Sequence, residues 1–534
     1  MTRTLLILVA AVAVLTVFAT PAAPLESDDA LTDMERDILR VSEGVIQLFE
    51  HHSGDIWPGY DLAREPFLVY VPERWALILN CVNGAEGFGP PPPGWPDVGT
   101  DMCYKEGQVG NLVGQLAFGY DAGGVRTVAV GLPESMPESF EDLELKMFGY
   151  VVHEAFHEYQ DQVFGDIEWA REQEYPIEDV ENAALAYLEM ALLVEAIEAA
   201  WADDADLASE ATAQFVAVRA HRWARADSFI AIYEGGKETR EGTARYVELR
   251  CLDFARELDY ESSVPGAPLL RDDLAHAALP GYLLDDFRES MVDGAIPMED
   301  LPRNRIYPVA SAQGFLLDYF DVDWQPEAEQ STSDFTYARL LRERLELTEE
   351  DHAALIEAAK ARHGYTELMG AAGTSIENHI SAYREALAVF EQQQGSRIEI
   401  AFDTNGLYRS RATSATRLVV DRGAHELCDR YDVYTLERDG TFLELHDVGL
   451  LEVNDYDGYR KTVVFYATSV ETITVDGDAI AAPASATPVP NQRDAEARRF
   501  IALRIAGDGF ELTHEGPGTV ALAAGSIVVD LTAE

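Results

Sequence analysis

The segment VVHEAFHEYQ, residues 151–160, carries two histidines four apart, with a glutamate directly after the first. On a helix, residues four apart stand one turn above each other, so His153 and His157 can offer ring nitrogens to one metal ion. Glu154 then lies beside that face. There it can take a proton from a water made acidic by the metal and return it to a leaving group. Val151, Val152, Ala155 and Phe156 are apolar, so the helix is expected to be buried, and buried polar side chains need partners. The pattern is that of a zinc site that activates water, set against the plainer reading of two core histidines with satisfied hydrogen bonds.

A catalytic zinc site takes a third protein ligand and leaves one position open. Three glutamates qualify. Glu181, in EDVENAAL, falls in the first turn of its helix, where the helix dipole alone would favour it. Glu189, in LAYLEMALLV, has Leu185, Ala186, Leu192 and Leu193 within one turn on either side, so it is expected to be buried with a cation, a donor or a metal. Glu241, in YEGGKETREGTARYVELR, is followed by Gly242, Thr243 and Ala244, small enough to let its backbone approach the metal-bearing helix. If Glu241 is the ligand, Glu189 is expected to be a buried hydrogen-bond partner of His153 or His157.

An HExxH motif followed by a glutamate in an EGTARY setting resembles the gluzincin-type zinc metallopeptidases. Over roughly residues 125–330 the resemblance implies a zincin-like catalytic region, Zn2+ held by His153, His157 and Glu241, Glu154 as general base, and a peptide or protein substrate. Two features depart from the pattern. The separation from His157 to Glu241 exceeds that of the compact members, and Arg245 stands one turn after the glutamate, where an aspartate is often found. The resemblance also implies a side chain that polarises the scissile carbonyl. Tyr307, in RNRIYPVASAQGFLLDYF, is the candidate, with Tyr246 second; the competing reading of Tyr307 is a core residue with a tethered hydroxyl. The same motif also fits a binding protein with a structural metal site, which needs a fourth protein ligand, or a zinc hydrolase of non-peptide amides or esters.

The elements that must position these residues follow from periodicity. A helix from Asp33 to Glu50, apolar runs PFLVYV, ALILNCV and VRTVAVGL, and a proline-rich loop between them read as an N-terminal α/β part. From Glu138 to about Gln394 the period is helical; beyond EQQQGSR it changes to two. The expected fold class is therefore α+β. A mainly helical zincin-like catalytic region with its α/β part spans residues 24–395, and an all-β, sandwich-like domain spans residues 396–534. Cys81 and Cys103 flank the proline-rich loop and are expected to form a disulfide.

Residues 1–23 have a short n-region with Arg3, an apolar run and small residues ending in TPAA, the layout of a cleavable signal. Secretion, or export to a periplasm, is expected, with no membrane insertion after cleavage. The formal net charge is −55, from 95 acidic against 40 basic residues, which argues against binding to nucleic acid or to an anionic membrane. Self-repulsion on this scale is relieved by screening. The melting temperature is accordingly expected to rise between low and molar sodium chloride, and a flat or falling thermal-denaturation series would contradict it.

Overall fold

The computed structural model describes residues 31–81, 85, 87–109, 117–121, 126–131, 143–167, 171–226, 228–257, 262–264, 278–330, 335–404, 408–414, 417–438, 440–456, 458–483 and 497–532. The segment read as a signal, 1–23, lies outside them. The fold class is α+β, and the chain divides into two compact units. One comprises Ala23–Glu172 and Val180–Ala372; the other holds Gln173–Asp179 and Gly373–Glu534.

The first unit opens with helix α1 (Asp33–Ile56), whose N-terminus is closed by a reciprocal capping box between Thr32 and Glu35. Strands β1 (Phe67–Val71), β2 (Trp75–Leu79), β3 (Met102–Glu106), β4 (Ala117–Asp121) and β5 (Arg126–Gly131) form one sheet in the order β3-β2-β1-β5-β4. Periodicity marks β1, β2 and β5 but misses β3 and β4, whose sequences MCYKE and AFGYD lack an apolar run. β1 and β5 run parallel, and the other pairs are antiparallel. Every residue of β1 and β2 is buried, which is why their sequences are continuously apolar rather than alternating. The Cys81–Cys103 disulfide, with Cα atoms 5.7 Å apart, packs against the core cluster of this sheet. Closing a loop of this length contributes about 3 kcal/mol.

After the sheet in chain order come α2 (Leu143–Val163), which packs on β4 and β5, α3 (Val180–Trp201), α4 (Ala205–Arg225) and α5 (Ser228–Lys237). A single π-helical turn (Glu238–Gly242) then leads without interruption into α6 (Thr243–Glu257). Helices α7 (Leu279–Ser290), α8 (Ile306–Tyr319), α9 (Gln325–Gln330), α10 (Tyr337–Arg344) and α11 (Glu349–Arg362) follow. α3 is apolar nearly all round and correspondingly buried on most of its faces. No helix among the described residues is long and apolar enough to cross a membrane.

A fully buried charge network ties these helices together. Glu189 on α3 accepts from Arg219 Nε at 2.8 Å and from Arg222 Nε and Nη2 at 2.7 and 2.9 Å. Arg219 Nη1 donates to Glu238 at 2.7 Å, and Arg222 Nη1 donates to Glu234 at 2.9 Å. Arg305, just before α8, also donates to Glu234. Three arginines and three glutamates thus cancel while fully buried, and Glu238 anchors the π turn itself.

The second unit contains the end of helix α12 (Tyr365–Phe390) and strands β6 (Ser396–Asp403), β7 (Tyr408–Ser414), β8 (Arg417–Val420), β9 (His425–Arg438), β10 (Thr441–Asp455), β11 (Arg460–Ala467), β12 (Val470–Val475), β13 (Asp478–Ile480), β14 (Arg498–Gly507), β15 (Phe510–Ala523) and β16 (Ser526–Asp530). Their hydrogen bonding is continuous. Two long strands change partners midway: the first part of β10 pairs with β15 and its last part with β11, while the far end of β15 pairs with β16. As β16 pairs with β6, and β6 with β11, the ladder closes on itself around an apolar core.

Candidate metal centre

α2 presents Phe148, Val151, Val152, Ala155 and Phe156 to the interior, and Phe156 packs edge-on against Trp57 and Tyr60. Arg126 on β5 reaches Glu158 of the same helix at 2.7 Å, tying it to the sheet. With its apolar face fixed, the helix turns His153 and His157 to one side, their rings 4.9 Å apart and nearly perpendicular. Glu154, between them in sequence, is partly exposed.

Of the three glutamates singled out in the sequence, the structure brings Glu241 to the pair. Its Oε2 lies 3.6 Å from His153 Nε2 and 3.4 Å from His157 Nε2. A tetrahedral ion with bonds of about 2.1 Å sets its ligands roughly 3.4 Å apart, a spacing close to the two separations between Glu241 and the histidines. All three ligand atoms lie within 4.8 Å of one another, and theirs is the one such group of three among the described residues.

The other two glutamates are elsewhere. Glu181 is on the surface, 3.2 Å from Arg225. Glu189 is buried, as its neighbours require, but its partners are Arg219 and Arg222; the expected hydrogen bond from it to a metal-site histidine is not formed. That role falls to residues the sequence reading passed over. His153 Nδ1 faces Glu248 Oε2 at 3.2 Å, and His157 Nδ1 faces Gln160 Oε1 at 2.6 Å. With each Nδ1–H donated outward, both Nε2 atoms keep their lone pairs for a metal. Gln160 is held in turn, its Nε2 donating to the carbonyl of Arg240 at 2.8 Å and to the Thr243 hydroxyl.

Helical spacing holds the missed signals. Gln160 is one turn beyond His157, and Glu248 lies seven residues beyond Glu241, on the same face of its helix. Arg245 occupies the place where the resemblance suggests an aspartate; it grips Asp286 at 2.7 and 2.9 Å and also reaches Glu248, so it orients the carboxylate that orients His153.

Two glycines make the approach possible. A Cβ on Gly149 of α2 would come within 2.6 Å of Glu248 Oε1 and 3.2 Å of its Cγ and Cδ. A Cβ on Gly242 would meet the Cβ of Ala310 at 2.0 Å, so the small residue after Glu241 admits helix α8, not the metal-bearing helix as its sequence neighbourhood suggests. Contact with the metal-bearing helix runs instead through Thr243 and Gln160.

Burial alone would lower the pKa of His153, but contacts with Glu241 and Glu248 outweigh it and raise the value to about 9. Burial would raise Glu241, yet His153, His157 and the Lys237 ammonium hold it far below the usual carboxylate range. Glu248 is pushed up by burial and pulled lower overall by Arg245 and His153. The site thus gathers an excess of carboxylate, which favours positive charge on His153 or a divalent cation in its place. Replacing Glu248 by Ala should weaken zinc affinity by about 10- to 100-fold while Arg245 stays paired with Asp286. Competition with a chromophoric chelator measures this, and unchanged affinity would refute the role of Glu248.

Tyr307 begins helix α8 with its ring over His153, centroids 6.0 Å apart at 29°. Burial and the neighbouring Glu241 charge push its hydroxyl well above the ordinary value, against the opposing pull of Arg303, so it remains a donor at neutral pH. Tyr246, the second tyrosine considered, is a core residue: its hydroxyl is bound by Asp318 and its ring packs on Trp324. Among the remaining histidines, His363 pairs with Glu195 and His379 with the carbonyl of Val419. No protein-family model, curated protein or solved structure matches this chain.

Proposed function

We propose that this chain is an exported zinc-dependent peptidase. One observation carries the reading: His153 Nε2 and His157 Nε2, on a helix that also bears Glu154, face Oε2 of Glu241 at 3.6 and 3.4 Å, and the three residues can offer one ligand atom each to a single ion. Zinc bound there would make a water acidic at neutral pH and polarise a carbonyl. Glu154 takes the proton from the attacking water and hands it to the leaving amine. Tyr307 donates its hydroxyl to the carbonyl oxygen as negative charge grows there. Glu248 and Gln160 fix the tautomers of the histidines. Among the described residues the group has three possible ligands rather than four, which favours a catalytic over a structural site. The signal-like segment 1–23 supports export, and the acidic surface supports a substrate other than a polyanion.

The test is metal analysis of the purified protein together with turnover of a mixed peptide library, a panel of esters and non-peptide amides being assayed in parallel. Stoichiometric zinc and chelator-sensitive peptide cleavage, both lost in Glu241→Ala, are expected. Zinc with cleavage confined to the non-peptide panel would overturn the substrate class, and a protein with no affinity for zinc would overturn the reading altogether.

A further inference from the structure

Lys237 is a lysine almost wholly inside the protein, and nothing in the peptidase reading requires it. It closes α5, and its ammonium lies 3.4 Å from Glu241 Oε1 and 3.9 Å from Glu172 Oε2. The two oxygens of Glu241 therefore have separate duties: Oε2 faces both histidines, and Oε1 faces a buried cation. A carboxylate can bind a metal through one oxygen or both, and binding through both fills the position that water and substrate need.

We infer that Lys237 is a positioning residue that holds Oε1 of Glu241 and so keeps this glutamate a one-oxygen ligand, leaving the metal a position for water. The inference rests on the assignment of His153, His157 and Glu241 as a metal site. A merely structural lysine would be satisfied by any anion, whereas this one is set by the π turn beside the ligand it restrains. Removing the ammonium should do two things to a bound cation. It deletes a like charge close by, and it frees a second oxygen to coordinate; both tighten binding.

The test compares the wild-type chain with Lys237→Met, Lys237→Gln and Lys237→Arg, all titrated with zinc against a chelator and with cobalt(II) by visible absorption. Lys237→Met and Lys237→Gln are expected to bind zinc about 10-fold more tightly, the direction that removal of a nearby like charge dictates. Their cobalt absorption should weaken, since five-coordinate cobalt absorbs less strongly than four-coordinate cobalt. Lys237→Arg keeps the charge and should retain the wild-type spectrum. If wild type binds neither ion, the metal site itself is refuted. If wild type binds both, and the neutral variants show unchanged or weaker affinity with an unchanged spectrum, this inference alone falls.

Discussion

Glu154→Gln should retain zinc at the wild-type stoichiometry and hydrolyse peptides about 10²- to 10⁴-fold more slowly, the range a positioned acid–base group supplies. The geometry separates the two properties. The proposed ligand atoms belong to His153, His157 and Glu241, and the groups that contact the histidines from behind are Glu248 and Gln160, so the exchange of one partly exposed side chain on α2 leaves those donors in place. What the amide cannot do is accept the proton of the attacking water. Metal analysis and peptide turnover on the same preparation check the pair of claims, and full turnover by a zinc-loaded variant would remove Glu154 from its role.

Glu189→Ala should leave the metal site's own donors untouched and destabilise the helical unit by about 3–5 kcal/mol, the cost of removing one partner from a buried ion network. Both of its oxygens are engaged by Arg219 and Arg222, and the substitution leaves two buried guanidinium groups with Glu234 and Glu238 as their remaining carboxylate partners and Asn182 as a neutral one. Urea unfolding of the zinc-free protein is the measurement. A stability loss under 1 kcal/mol would mean that the network relaxes or takes in water.

The difference between the expected and observed role of Glu189 shows what a sequence can carry. Its apolar neighbours announce burial and the need for a partner. The partner itself sits 30 and 33 residues later on α4, where Arg219 and Arg222 face α3. Nothing local marks them as inward-facing. His153, Glu154 and His157 are legible because their spacing is one helical turn, and the α+β class because the period changes near residue 395. Glu241 is legible through its small neighbours and its setting, of which Gly242 admits α8 and Thr243 meets α2 through Gln160. Glu248, Gln160 and Lys237 are ordinary polar residues in sequence. They become specific only when two helices and one π turn bring them to the same few ångströms.

That π turn gives the site an unusual sensitivity. In Glu238–Gly242 the backbone accommodates more residues per turn than the α-helices on either side, so one extra residue is taken up inside the turn while α5 and α6 stay close to the phase of one continuous helix. Deleting a single residue there, even one whose side chain touches nothing, would restore α-helical winding without turning α5 far from α6, but it would change the angle between the side chains inside the turn. Glu238 and Glu241 both lie in the turn, so the directions that carry one to Arg219 and the other to the histidines depend on it. The centre is thus encoded partly as a residue count. A frame-preserving loss of one codon in this stretch would therefore disturb the directions of Glu238 and Glu241 even with both side chains kept.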